Sequence, residues 1–175
     1  MSKISAFLLG FLFLALVVLG IYWSFEPEQV KIENSGNEVT GVTSVNTLIK
    51  VSETLLDKPG GYLTNDVTPP SWWLDNMPNW EFGVLLTVRD YSRVLRNEIS
   101  RSQSQSLEDP ALEKAEPNFN IDSTSWIFPS SEGEYRDGIK FLQDYRNRLS
   151  TGKQGDRAHF YANANNLVDW LGVVQ

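Results

Sequence analysis

Glu81 is the residue best placed by sequence to do acid–base chemistry, because it lies between Trp80 and Phe82. A carboxyl group in an apolar setting can hold its proton at neutral pH and deliver it to a leaving group, as in glycoside hydrolases. A glutamate near the start of a helix is also favoured by the helix dipole alone. Glu81 is therefore a catalytic candidate, and a structural role stays open.

Two other patterns resemble catalytic motifs. Ser150 and Lys153 have the S-x-x-K spacing in which a lysine can take the proton of a serine nucleophile, but Gly152 between them favours an ordinary helix-ending turn. His159 has only Asp156 as an acidic neighbour at helical spacing, which favours a structural or exposed histidine. Neither pattern identifies a catalytic residue.

The composition excludes several classes of site. The 175 residues include 15 Lys and Arg, 22 Asp and Glu, one histidine and no cysteine. Without cysteine the chain has no thiol nucleophile and no cysteine zinc site, and one histidine makes a multi-histidine metal site improbable. We therefore predict no metal and no cofactor. The negative charge also argues against nucleic acid as a partner, since affinity for phosphate backbones comes mainly from Lys and Arg.

Trp72 and Trp73 are adjacent in a long proline-rich segment between Gly60 and Asn79 that has no periodic pattern. Segments of this kind are uncommon in a compact domain and are usually functional or folded over the core. We expect the two tryptophans to pin the loop to the helices, and the alternative is an exposed aromatic surface for a glycan or a protein partner.

Four arginines form a basic face on the following helix. Arg89, Arg93 and Arg96 are spaced four and three residues apart, and Arg101 follows. Guanidinium groups on one side of a helix can bind carboxylates or phosphates in a bidentate manner. The alternative is a solvated face, or pairing with the acidic stretch from Glu108 to Glu116.

The first segment is typical of a membrane anchor. Residues 4–23 contain no charge and would form a helix about 30 Å long, which matches the hydrocarbon thickness of a bilayer. Tyr22, Trp23 and Phe25 resemble an interfacial aromatic belt. A cleaved signal sequence is the competing interpretation, but these residues are bulky where a signal peptidase requires small side chains.

The charges that flank this segment predict its orientation. Lys3 precedes it, whereas Glu26 and Glu28 follow, and the positive-inside rule then places the N-terminus in the cytoplasm. We accordingly expect a bacterial inner-membrane protein with residues 24–175 in the periplasm. Without Lys3, 14 Lys and Arg remain against 22 Asp and Glu, so the exported part carries a net charge of −8.

Apolar spacing predicts helices in the remainder. They cover Val45–Asp57, Trp80 to about Arg101, Pro110 to about Ala115, Glu132–Leu149 and Asp156 to about Leu171, and a short strand is allowed at 126–128. The expected fold is mainly α: one N-terminal transmembrane helix, then a small helical bundle with long loops. The domains are residues 1–25 as anchor, 26–44 as tether and 45–175 as the helical domain.

Several runs of sequence are similar to the proteobacterial inner-membrane family catalogued as a domain of unknown function, DUF2333. They are LLDKPGGYL at 55–63, DNMPNWEFG at 75–83, Ser130-Ser131-Glu132 and Phe160-Tyr161-Ala162. The resemblance extends from the membrane segment to about Leu171, and it implies one N-terminal span and a helical periplasmic part. It also leads us to expect charged residues where this chain has Asn163 and Asn165, and a further helical tail after Gln175.

Three functional hypotheses follow. The first is an anchored scaffold or assembly factor that binds an unknown envelope protein or glycan through Trp72, Trp73 and the arginines. The second is a periplasmic enzyme that acts on peptidoglycan or another envelope polymer, with Glu81 as the acid. The third is an acidic spacer without a specific site.

Overall fold

Helical periodicity accounts for the regular elements of the chain. The computed structural model describes residues 3–31, 39–101, 107–151 and 158–173, in which there are six α-helices and no strand. A 3-10 turn at Ser71–Trp73 precedes the third helix and a π-helical turn at Leu95–Ile99 follows it. The helices are α1 Lys3–Trp23, α2 Val42–Asp57, α3 Asn76–Val94, α4 Pro110–Phe119, α5 Ser131–Thr151 and α6 Ala164–Val173. The mainly α prediction is confirmed.

The first helix, α1, stands apart in composition. Its mean hydropathy of 2.8 and its 21 residues are sufficient to cross a membrane, although an N-terminal signal sequence has the same properties. Gly20 is its one buried residue, and most of its large apolar side chains are exposed, Leu16 and Trp23 being partly buried. An apolar helix that is not covered by the rest of the chain requires a different solvent or partner.

Four helices surround the core of the domain. Helix α5 packs against α4 and α2, and α3 packs against the same two helices, so the four form a closed ring. Tyr135 lies fully buried at the centre, with the ring of Phe119 stacked 6.3 Å away and the ring of Tyr62 meeting its edge at 5.5 Å. The core thus joins α4, α5 and the loop after α2.

The predicted start of α4 is confirmed, whereas its predicted end is wrong. The side chain of Asp109 accepts hydrogen bonds from the backbone N–H groups of Ala111 and Leu112, and Pro110 occupies the first helical position. Pro117 does not end the helix, which continues to Phe119. One missing N–H near the end of a helix is tolerated because burial of Phe119 holds the last turn in place.

The sequence also predicts two helix caps that the structure does not have: Ser131, which with Glu134 resembles a capping box, for α5, and Thr43 or Ser44 for α2. Ser130, not Ser131, caps α5, because its hydroxyl accepts from the N–H of Gly133. The hydroxyl of Ser131 instead lies within hydrogen-bond distance of two loop carbonyls, those of Asp122 and Ser125. Helix α2 begins at Val42, after a glycine with φ of 92° that provides no side-chain cap.

Two segments lack the structure that the sequence predicts. Residues 126–128 form a loop and not a strand. The last helix begins at Ala164, whereas the sequence predicts a start at Asp156, which lies outside the described residues, and residues 158–163 have no regular secondary structure. This segment is held by hydrogen bonds from the N–H of Tyr161 to the carbonyl of Ile99, at 2.8 Å, and from the hydroxyl of Tyr145 to the carbonyl of His159, at 2.6 Å. Tertiary hydrogen bonds here override the local helical pattern.

We predict opposite effects for two glycine-to-alanine changes in helices. A Cβ on Gly138 of α5 would lie 2.9 Å from the ring of Phe119, so Gly138→Ala should lower the free energy of unfolding by about 1 kcal/mol despite alanine's better helix propensity. Gly83 of α3 has open space around it, so Gly83→Ala should raise the free energy of unfolding by up to about 1 kcal/mol. Urea unfolding of the full chain in detergent micelles measures both. A gain from Gly138→Ala would contradict the close approach of α4 and α5.

Candidate functional site

Glu81 lies fully buried, where the loop after α2 crosses the start of α3. Its Oε1 accepts a hydrogen bond from the N–H of Leu63 at 2.8 Å, and its Oε2 accepts from the N–H and the hydroxyl of Thr64 at 2.8 and 2.5 Å. The ammonium group of Lys58, which is equally buried, forms an ion pair with Oε1 and donates to the carbonyl of Gly61. Both carboxylate oxygens therefore have partners within the chain.

This geometry is that of a structural ion pair. A catalytic acid must reach the atom that it protonates, within hydrogen-bond distance or through one water molecule. The side chain of Glu81 has no exposed surface, and its partners hold Lys58 and the 61–64 loop against α3. The structural role that the sequence left open is the one that the contacts of Glu81 support.

The same loop continues into a second set of hydrogen bonds. The amide of Asn65 donates to the carbonyl of Ser125 at 3.0 Å and to the carboxylate of Glu132 at 2.9 Å. The hydroxyl of Tyr62 donates to the carbonyl of Ser123 at 3.0 Å, and burial raises the pKa of this phenol. These bonds join the loop after α2 to the loop before α5.

Of the four predicted arginines, Arg89 and Arg96 form short hydrogen bonds within the chain. Arg89 donates to the carbonyls of Phe119 and Ile121, at 2.6 and 2.7 Å, and so satisfies backbone acceptors at the end of α4. Arg96 pairs with Glu108 at 2.6 Å and with Glu116 at 3.0 Å.

Hydrogen bonding to Glu108 raises the pKa of Arg96. Arg101 reaches the other oxygen of Glu108 at 3.6 Å. The half-exposed Arg93 lies 3.9 Å from Asp90. Arg96 and Arg101 thus pair with the acidic stretch, as the alternative interpretation of the sequence predicts. That the four arginines bind an external carboxylate or phosphate stays a prediction.

Trp72 and Trp73 do not pin their loop to the core. Their exposed fractions are 72% and 50%, whereas Trp80 packs against the core cluster. The expectation that these two tryptophans pin the loop to the helices is therefore wrong, because the loop before α3 is directed toward α1 and not over the four-helix ring. Their exposed aromatic surface corresponds to the alternative that the sequence left open.

An apolar groove lies between α2, α3 and the C-terminal segment. Its volume is about 640 Å³, in the range of ligand-binding pockets. Its described lining residues carry no charge, and they are Ser44, Thr47, Leu48, Val51, Thr87, Val88, Tyr91, Ile99, Phe160, Tyr161, Ala162, Asn163, Ala164 and Trp170. These residues form a mainly apolar surface that can receive an apolar group.

Trp170 and Tyr91 form one wall of the groove. Their ring centroids are 5.5 Å apart, and burial raises the pKa of Tyr91, so its hydroxyl stays protonated at neutral pH. Within the part of the chain that the structure describes, the buried Nε1 of Trp170 has no hydrogen-bond acceptor. A buried donor without an acceptor is costly.

Sequence reasoning missed this groove. Its far side is built by residues 160–164, which the sequence predicts as helical and which are not helical before Ala164. Tyr91 belongs to the apolar stripe that helical spacing predicts on this helix, which comprises Trp80, Val84, Val88, Tyr91, Leu95 and Ile99. The sequence does contain one indication of the groove. Hydroxyl residues at three positions near the apolar surface, Ser44, Thr47 and Thr87, indicate that this side of the two helices is not fully covered.

The remaining chemical candidates do not assemble. The ring of His159 stacks on Tyr161 at 5.7 Å, and the hydroxyl of Ser150 donates to the carbonyl of Asn147. Lys153 lies outside the described residues. In the ranges that the structure covers, no three or more His, Asp or Glu side chains are grouped so that they could hold a metal ion.

Comparison with known proteins identifies a family and nothing beyond it. A family model described as an uncharacterised protein conserved in bacteria, DUF2333, matches residues 1–175. No curated protein and no solved structure matches the chain.

We predict that Glu81→Gln will destabilise the domain strongly. Removing one partner of a buried ion pair leaves Lys58 uncompensated, which costs about 3 to 5 kcal/mol. The matched control is Asp137→Asn, which breaks an exposed pair with Lys140 and should change the free energy of unfolding by less than about 0.5 kcal/mol. Urea unfolding in micelles compares the two. Equal and small effects would show that the Glu81 carboxylate is solvated.

We also predict that Asp66→Asn will stabilise the fold at neutral pH only. Burial raises the pKa of Asp66 above its ordinary value of 3.8, and the charges of Glu132 and Glu81 raise it further. The unfolded chain therefore loses this proton first, and the ionised carboxylate opposes folding once the pH has passed through both pKa values. The urea midpoint of Asp66→Asn should exceed that of the parent at pH 7 and converge with it well below 3.8. An equal gain at both pH values would contradict the electrostatic cause.

Proposed function

The chain belongs to the DUF2333 family of uncharacterised bacterial proteins, and we propose that it is a single-pass inner-membrane protein whose helical domain binds another envelope protein. In this proposal residues 4–23 cross the lipid bilayer, the N-terminus is cytoplasmic and residues 24–175 are periplasmic. The domain acts as a scaffold or assembly factor.

Two features support the membrane arrangement. Helix α1 leaves its apolar side chains exposed, which is favourable in lipid and unfavourable in water. Lys3 precedes it, and Glu26 and Glu28 follow, which agrees with the positive-inside rule.

The observation that carries the binding proposal is the apolar groove. None of the described residues that line it is charged. Its walls are α2 and α3, and the short α6 already lies against α3 and presents Val168 and Leu171 outward. The occupant that best fits is an apolar helix of the partner, as in other helix-in-groove complexes.

Binding is favoured over catalysis because of what surrounds Glu81. Its carboxylate is fully buried and paired with Lys58 and the backbone of residues 63 and 64. The one acid that the sequence offered for polymer cleavage is therefore committed to holding the loop after α2.

Site-specific photo-cross-linking in living cells tests the proposal. A photoreactive residue at Thr87, which lines the groove, should give a defined adduct with one envelope protein. The same residue at Lys140, an exposed position of α5 outside the groove, should not.

Filling the groove provides the matching control. Thr47→Trp places an indole opposite Thr87 and should abolish most of the adduct, while the far-UV circular dichroism of the purified chain stays unchanged. An adduct that persists in Thr47→Trp, or that forms equally from Lys140, would contradict a groove-bound partner.

A further inference from the structure

The end of α1 packs against the loop that precedes α3. Gly20 is buried against Pro70, and the ring of Trp23 covers Gly60, where an added Cβ would lie 2.8 Å from the indole. The amide of Asn76 also donates to the carbonyl of Ser24 at 3.3 Å. The anchor and the domain are therefore in direct contact.

These contacts fix the depth of the loop relative to α1. Pro70, Trp73 and Leu74 line one shallow cavity together with Leu16, Val17, Gly20 and Ile21 of the helix. Leu16 lies seven residues before Trp23, which is about 10 Å along the helix. If α1 spans a bilayer, as the proposed function requires, this loop lies beside the last two turns of the span, at the depth where interfacial segments insert.

The composition of the loop suits that depth. Residues 67–74, VTPPSWWL, contain no charge and are flanked by Asp66 and Asp75. Val67, Trp72 and Trp73 are all exposed in the protein alone. Tryptophan is the side chain most typical of the boundary between lipid and water, because one part of the ring is apolar and its N–H is polar.

A second loop shares these properties and begins beside the first. Residues 123–131, STSWIFPSS, are also uncharged and are flanked by Asp122 and Glu132. Trp126, Ile127 and Phe128 are exposed, Phe128 almost completely at 99%. The bond from Asn65 to the carbonyl of Ser125 joins the bases of the two loops, since each apolar run starts one or two residues further along.

We propose that the loops 67–74 and 126–128 insert into the interfacial layer of the same bilayer that α1 crosses, so that the domain stands on the membrane at three apolar points. This inference rests on the proposed membrane span and does not depend on the groove. Three points define a plane, so the arrangement gives the domain one orientation with respect to the membrane. Asp66, Asp75, Asp122 and Glu132 lie at the edges of the loops and set how far they enter, because carboxylates stay in water.

Single-cysteine labelling of the full chain in phospholipid vesicles tests the proposal, since the chain has no cysteine of its own. An environment-sensitive fluorophore is attached at Trp72→Cys or Phe128→Cys, with Val67→Cys and Ile127→Cys as second positions. Phe11→Cys, in the middle of α1, reports the span itself. Ser150→Cys is the domain control, because it lies 19 residues along α5 from Ser131, about 28 Å from the second loop.

We expect the emission of the fluorophores on both loops to shift to shorter wavelength and to be quenched strongly by lipids that carry a spin label near the headgroup. The fluorophore at position 11 should be quenched most by lipids spin-labelled deep in the acyl chain, and the fluorophore at position 150 should be quenched by neither lipid. If the fluorophore at position 11 is quenched and the fluorophore on either loop is not, the inference is overturned while the proposed anchor stands.

Two other results have different causes. A blue shift of the loop fluorophores without quenching by lipids would mean contact with a second copy of the chain, and quenching at position 150 equal to that at the loops would mean non-specific adsorption of the domain. Both results would overturn the inference, whereas an unquenched Phe11 would overturn the proposed anchor as well.

Discussion

The buried ion pair between Lys58 and Glu81 is the constraint on which the arrangement of the domain depends. Two opposite charges without exposed surface are tolerated only when hydrogen bonds satisfy their remaining atoms. The carbonyl of Gly61, the N–H groups of Leu63 and Thr64 and the hydroxyl of Thr64 do so, and the loop after α2 has one conformation that provides all of them. The pair thus specifies a loop more than it adds stability.

Fixing that loop fixes the positions of the others. Tyr62 and Asn65 follow directly and reach the carbonyls of Ser123 and Ser125, which orients the loop before α5. Gly60, at the start of the same loop, contacts the ring of Trp23 and so connects the domain to α1. In this chain, which has no cysteine, buried hydrogen bonds hold together loops that are distant in sequence. The bidentate pair between Arg148 and the capping Asp109 does the same for α4 and α5.

The sequence alone predicts those elements whose structure depends on residues close to them in the chain. Five of the helices follow from apolar spacing, and the cap at Asp109 follows from its position before Pro110. The errors occur where distant residues decide. Residues 158–163 are not helical, since Ile99 and Tyr145 form hydrogen bonds with them, and Ser131 is not a cap because its hydroxyl lies against loop carbonyls. Exposure of Trp72 and Trp73 could not be predicted either, since loop composition does not reveal whether a loop faces the core or α1.

The helices also determine how far the groove lies from the end of α1. Helix α2 ends at Asp57, close to Gly60 and Trp23, and its groove residues Ser44 to Val51 lie six to thirteen positions earlier, or about 9 to 20 Å along its axis. Helix α3 gives a similar distance, because Asn76 contacts Ser24 and Thr87 lies eleven positions later, about 16 Å away. If α1 crosses a bilayer, as proposed, and α2 and α3 rise from its surface, a partner helix in the groove would belong to the water-exposed part of the other protein and not to its membrane span.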